Sequence, residues 1–292
     1  MIIITTPTGH IGSKVLEKLL KTNEKLRVIT RDPSKLSDEV KGRVEIIQGS
    51  LGNFEDVYKA YEGADELFFI VPPSVQYTNV NEYYLHFANI TCKVINQQKV
   101  KRVVFVSGTG LGYEKNAGSV SASYLVEKVL EATSAATRIL HCGTFMENLF
   151  NMIQPIKFKS EYASAVPVDT KYPWVANQDI ADVAVRLLLD KTWSGKGSVG
   201  VLGPEDISYG DVTKIMSEVL GKEIRYKEIS GEALKATMIQ FGATEAGAQG
   251  LVDICNSVKN GVFNMVKRTP QSSSQTTFRE WCEDVFKPAI LK

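Results

Sequence analysis

Three isoleucines, Ile2 to Ile4, open the chain as an unbroken apolar run that stops at Thr5. Beyond Gly9 the apolar positions recur at Ile11, Val15, Leu16, Leu19 and Leu20, the spacing of one helix face. Short apolar runs of the buried kind return at Leu26–Thr30, Val44–Ile47, Leu67–Val71, Arg102–Ser107 and Thr137–Cys142. Between them, helical spacing covers Phe54–Tyr61 (closed by Gly63), Asn79–Gln98 and Ser121–Ala132, with Tyr84, Phe87, Ala88, Val94 and Ile95 as core positions. Strands that alternate with helices predict right-handed crossovers and a doubly wound, parallel α/β sheet.

The second half is read less evenly. Residues 151–175 carry Pro155, Pro167 and Pro173 and are expected to be irregular. Asn177–Leu189 has an amphipathic pattern, with Asp179 near its start as a dipole or cap residue rather than a catalytic acid. Ser198–Leu202 is expected to rejoin the sheet. Ser208 and Asp211 make a capping-box-like start for a helix that ends at Gly221, and a strand runs to about Ile229. Helices over Gly231–Gln240 and Thr244–Val258, a polar linker at 271–277 and a tail at Phe278–Phe286 complete a smaller α/β lobe. The division expected is 1–150 plus about 176–205 for the sheet domain, and about 151–175 plus 206–292 for the smaller substrate or partner lobe.

Composition narrows the classes. A chain of 292 residues, 43% hydrophobic and 23% charged, suits one large or two modest globular domains. A net charge of +1 leaves no footprint for direct nucleic-acid or anionic-membrane binding. Cys92, Cys142, Cys255 and Cys282 are far apart and lack metal-ligand spacing, so reduced thiols and no metal site are expected. The apolar start is too short for a signal or a membrane span, which points to a soluble cytoplasmic protein, nuclear as well if it is a regulator.

The candidate chemistry lies at strand ends. The stretch Thr5–Gly12 is strand, turn and helix, and such a helix start aims free N–H groups and a positive dipole end at a phosphate. Gly9 and Gly12 fill the last two glycine positions of the dinucleotide fingerprint G-x-G-x-x-G, with Thr6 or Pro7 earlier in the turn. After the second strand, Thr30 is followed by Arg31 and Lys35, which favours the 2′-phosphate of NADP(H) over NAD. Asp32 leaves the NAD alternative, or a merely solvated turn, open. Val71 and Pro72, at the carboxyl end of another strand, should border the cofactor.

Taken together these stretches resemble the NmrA-like family of atypical short-chain dehydrogenases. Thr5-Thr6-Pro7-Thr8-Gly9-His10-Ile11-Gly12 is similar to its T-G-A-T-G-x-x-G opening, and Ile29–Lys35 to its V-R-N-P-x-K stretch. Leu140–Asn148 resembles L-R-P-G-x-F-M-E-N, Asp179-Ile180-Ala181 matches D-I-A, and Leu202–Glu205 matches L-x-G-P-E. The resemblance covers most of residues 1–230 and implies an NADP(H)-binding Rossmann domain, with Thr6, Thr8, Gly9, His10, Ile11, Gly12, Arg31, Lys35, Ser50, Val71, Pro72 and Phe145 at the cofactor. The chain departs from the pattern at Thr6 (usually glycine), His141 (arginine), Cys142 (proline) and Ser50 (the acid of G-D-L). Thr6 is expected to stiffen or narrow the pyrophosphate turn.

Neighbouring dehydrogenases use a Y-x-x-x-K pair and a strand-end serine for proton exchange. Tyr124, Lys128 and Ser107 have that spacing, but the downstream motifs place Glu127 and Lys128 on an ordinary helical segment. His141 offers a substitute acid/base or a core histidine. The weak catalytic equipment favours a cofactor-sensing regulator that acts through a protein partner. The alternative is an NADPH-dependent reductase of quinones or related carbonyl compounds.

Overall fold

A computed structural model describes all 292 residues. The first part runs β1 (Ile2–Ile4), α1 (Gly12–Leu19), β2 (Leu26–Thr30), α2 (Asp38–Lys41), β3 (Glu45–Gln48), α3 (Phe54–Tyr61), β4 (Glu66–Phe69), α4 (Val80–Gln98), β5 (Arg102–Gly108), α5 (Ser119–Glu131) and β6 (Ala136–Cys142). It continues with β7 (Thr144–Phe145), α6 (Ile153–Lys159), β8 (Glu161–Ser164), β9 (Tyr172–Val175), α7 (Asn177–Leu189), β10 (Lys196–Val201) and β11 (Asp206–Ile207). The rest is α8 (Tyr209–Leu220), β12 (Arg225–Glu228), α9 (Gly231–Gln240), α10 (Glu245–Lys259), α11 (Phe278–Trp281) and α12 (Lys287–Leu291).

Seven strands form one parallel sheet in the order β3-β2-β1-β4-β5-β6-β10. The fold is therefore the doubly wound α/β sheet that the alternating pattern predicts. Its order reverses between β1 and β4, which opens a crevice at their carboxyl ends. Side chains that alternate along the strands feed two cores. Ile3, Leu67, Phe69, Val103, Phe105 and Ile139 pack under α3, α4 and α5. Ile2, Ile4, Val28, Phe68, Val104 and Leu140 pack under α1 and α7. A third core, built around Trp174, Met216, Phe278, Trp281 and Phe286, fills the smaller lobe with its sheets β11-β9-β7 and β12-β8.

At the amino end of the large sheet, Glu66, Asp65 and Arg27 are each paired with groups of the protein. Glu66 is almost completely buried, and its Oε1 lies 3.2 Å from Arg102 and 2.8 Å from Lys191. The Met1 amino group and Lys101 both reach Asp65 at 2.7 Å. Buried Arg27 donates to the carbonyls of Ala60 and Glu62 and pairs with Glu45 at 2.8 Å.

Residues 151–175 are not irregular. They hold α6, β8 and β9. Pro155 stands in the first turn of α6, where an amide hydrogen has no helical partner to lose, and Pro173 sits inside a four-residue strand. The Ser208–Asp211 capping box forms with both hydrogen bonds, and Gly221 closes α8 at φ +66°. All four cysteines are free and buried. No helix is long and apolar enough to cross a membrane.

Candidate functional site

Thr5 stitches the two strands that flank the crevice. Its hydroxyl donates to the carbonyl of Phe68 (3.0 Å) and accepts from the amide of Ile70 (3.2 Å). Thr6, next in the chain, holds φ +48°, a left-handed backbone that a β-branched residue adopts only under strain. A Cβ added at Gly12 would stand 2.2 Å from the Thr6 carbonyl oxygen, so only glycine lets α1 approach the turn so closely. Helix α1 begins without a side-chain cap or a first-turn acid. The amides of Thr8, His10 and Ile11 donate to nothing in the protein. Unpaired amides at a helix start with no competing carboxylate are suited to an anion. The exposed ring of His10 lies 5.8 Å from Phe150.

At the end of β2 the two charges that compete in the sequence are separated by their hydrogen bonds. Asp32 accepts from the amide (3.0 Å) and the hydroxyl (2.6 Å) of Ser34 and so caps the turn Pro33–Lys35. Those bonds hold its carboxyl below the usual range. Lys35 is exposed, 4.0 Å from Asp32. Arg31 is exposed and pairs with no carboxylate. Ser50 is used within its own turn, its amide donating to Asp56 (2.8 Å) and its hydroxyl accepting from Gly52 (3.2 Å).

Val71 is buried and Pro72 half-buried at the end of β4, where the Pro72 carbonyl accepts from the Tyr83 hydroxyl (3.0 Å). The loop beyond is gripped by the second lobe. The Thr244 amide donates to the Val75 carbonyl (3.0 Å), and its hydroxyl to the Tyr77 carbonyl (2.5 Å). Gly247 and Gly250 make that contact possible, since added Cβ atoms would lie 2.0 Å from the Val75 oxygen and 2.5 Å from the Tyr77 hydroxyl.

Of the dehydrogenase candidates, Lys128 lies beside Tyr124 while Ser107 turns to a different partner. Lys128 is exposed, its Nζ 5.1 Å from the centre of the Tyr124 ring, and no hydrogen bond joins either residue to Ser107. Ser107 is buried and donates instead to Glu127 Oε1 at 2.5 Å. Glu127 Oε2 lies 3.0 Å from His141 Nε2, and all three residues are buried. Sequence reasoning missed Glu127 and left His141 without a partner. The signal was there in the inward rows of β5 and β6, which end in a serine and a histidine after Phe105 and Ile139. Phe145, half-buried on β7, packs beside the core under α1 and α7.

Two motif acids tie the lobes together. Glu147 is buried and accepts from the amide of Asn177 (3.0 Å) and the indole of Trp281 (3.3 Å), with burial pushing its carboxyl up. Asp179 does not cap α7. It accepts from the Thr276 hydroxyl at 2.7 Å, so it holds down the C-terminal segment.

A phosphate-ready helix start at the switch point of a parallel sheet defines the class of dinucleotide-binding Rossmann proteins. Within that class the chain belongs to the NmrA-like family, whose model matches residues 1–282. It is 26% identical over 260 residues to an NAD(P)H azoreductase of Xenophilus azovorans, covering 87% of this chain and 86% of that protein. Its fold is similar to that of the NADPH-dependent quinone oxidoreductase of Escherichia coli solved with NADPH. The TM-score is 0.80 at 20% identity, covering 98% of this chain and 100% of the other. The triphenylmethane reductase of Citrobacter sp., solved with NADP(H), aligns with TM-score 0.79 at 19% identity over 96% and 98% of the two chains.

Proposed function

We propose that this protein is an NAD(P)H-dependent reductase that prefers NADPH and reduces a quinone or a related conjugated acceptor. One observation carries the cofactor preference. Arg31 stands exposed and unpaired at the end of β2, while the neighbouring carboxylate of Asp32 is spent on Ser34. A free guanidinium fork suits a 2′-phosphate, and a carboxylate already capping a turn is poorly placed to claim a ribose hydroxyl. The unpaired amides of Thr8, His10 and Ile11 would hold the diphosphate, with Gly9 and Gly12 keeping the turn and helix close. Lys35, Ser50, Val71, Pro72 and Phe145 complete the proposed lining. When bound, the nicotinamide supplies the hydride, so the chain's task is to bind, orient and exclude water.

The acceptor class rests on the relatives, named for azo, quinone and triphenylmethane reduction. Those names favour the reductase over the cofactor-sensing regulator. Calorimetric titration with NADPH and NADH, with Arg31→Ala in parallel, tests the cofactor half. Tighter NADPH binding that disappears in the variant is expected, and equal affinities unaffected by Arg31→Ala would refute the preference. Turnover of a panel of quinones and azo dyes by NADPH-loaded protein tests the rest, and no turnover of any would refute it.

A further inference from the structure

We infer that Ser107, Glu127 and His141 form a buried proton relay that supplies the acceptor's proton in place of Tyr124 and Lys128. The inference rests on the reductase reading and assigns the second half of the reaction.

The alternating rows Val103-Phe105 on β5 and Thr137-Ile139 on β6 point under α5 and end in Ser107 and His141, which face one another in the strand register. Helix α5 presents Ala122, Val126 and Leu130 to this face, and among them the carboxyl of Glu127. Three polar groups thus meet in a site where each is costly to bury unless it is bonded. Glu127 is the sole charged partner of His141, and the flanking strand β10 brings only Gly200 opposite it. Of the other ionisable groups of this stretch of α5, Lys128 and Glu131 are exposed and Tyr124 is half-buried. A carboxylate bonded to both serine and imidazole links the three groups into one hydrogen-bonded chain. Ser107 and His141 each stand one residue before the carboxyl end of their strand, the end at which ligands of such a sheet sit.

The step balances. An acceptor that has gained a hydride carries an oxyanion. The Ser107 Oγ–H bond breaks as the acceptor O–H bond forms. The proton stored on the Glu127–His141 pair moves to Ser107 Oγ, leaving carboxylate and neutral imidazole, and water restores the proton.

Turnover of a p-quinone with NADPH by the full-length protein tests this, measured against pH in water and in D2O with NADPH affinity alongside. Wild type should show a pH-dependent kcat and a solvent isotope effect. Glu127→Gln and His141→Gln should lower kcat on the order of a hundredfold and flatten the pH profile, with NADPH affinity unchanged. Ser107→Ala, the smallest change in volume, should show the same loss and serves if the other two variants do not fold. Folded variants that keep the wild-type profile and isotope effect would overturn the relay, as would the loss falling on Tyr124→Phe instead. A wild type that binds NADPH but reduces no acceptor overturns the reductase reading and the relay with it. Turnover with an unmoved profile overturns the relay alone.

Discussion

The two ends of the same parallel sheet are built on opposite rules. At the amino end, Glu66, Asp65 and Arg27 each have two or more partners, and the chain's own terminus is one of them. At the carboxyl end, three amides and a guanidinium are left without partners, and a threonine is held where glycine is at ease. The same strands run through both ends, so strand chemistry does not explain the contrast. Polar groups satisfied inside the protein contribute stability. Groups left open keep their bonding capacity for a ligand, at a cost the rest of the fold must offset.

Substitutions at the two ends should therefore separate stability from binding. The largest effect is expected from Arg102→Ala, which leaves buried Glu66 with Lys191 alone. Urea denaturation should show a loss of about 3 kcal/mol, with NADPH affinity unchanged. A change in affinity would mean the ends are coupled. Arg31→Ala should do the reverse, weakening NADPH about tenfold or more, roughly 1.4 kcal/mol, while the urea midpoint stays put. Thr6→Gly should raise stability by about 1 kcal/mol by relieving the left-handed strain. A lower melting temperature in this variant would show that the threonine side chain contributes more than its backbone costs.

The smallest effect concerns pH at the amino end. Bonds from Lys101 and the chain terminus hold the Asp65 carboxyl at about 2, below its ordinary 3.8. A depressed carboxyl contributes stability above the unfolded value and loses it as pH falls from 3.8 towards 2. Asp65 is 42% exposed, so solvent screening keeps the contribution under about 1 kcal/mol. Asp65→Asn should be slightly less stable than wild type at pH 5, with the gap shrinking through pH 2 and closed by about pH 1. A gap of the same size at pH 1 would rule out charge as its origin.

Much of this was legible in the residues. Unbroken apolar runs alternating with amphipathic stretches specify a parallel sheet almost by themselves, and the β1–α1 turn was visible as a glycine-bearing break between two periods. The prolines misled because position decides their effect, as Pro155 in the first turn of a helix shows. Glu127 was hidden for another reason. Its partners lie 20 residues before it and 14 after, and only the sheet register brings them together. Asp179 and Thr276, 97 residues apart, meet through lobe packing that no local pattern encodes.

The two interlobe carboxylates also set an order of events during synthesis. Glu147 and Asp179 leave the ribosome long before Trp281 and Thr276, so during translation both must remain in water or find temporary donors. The sheet up to β6 has all its neighbours early except β10. The smaller core, by contrast, waits for Phe278, Trp281 and Phe286 in the final fifteen residues of the chain. A chain made only as far as residue 270 would leave Asp179 without Thr276, Glu147 with the Asn177 amide alone, and the aromatic core open. Residues 276–286 thus close the smaller core over segments made long before them.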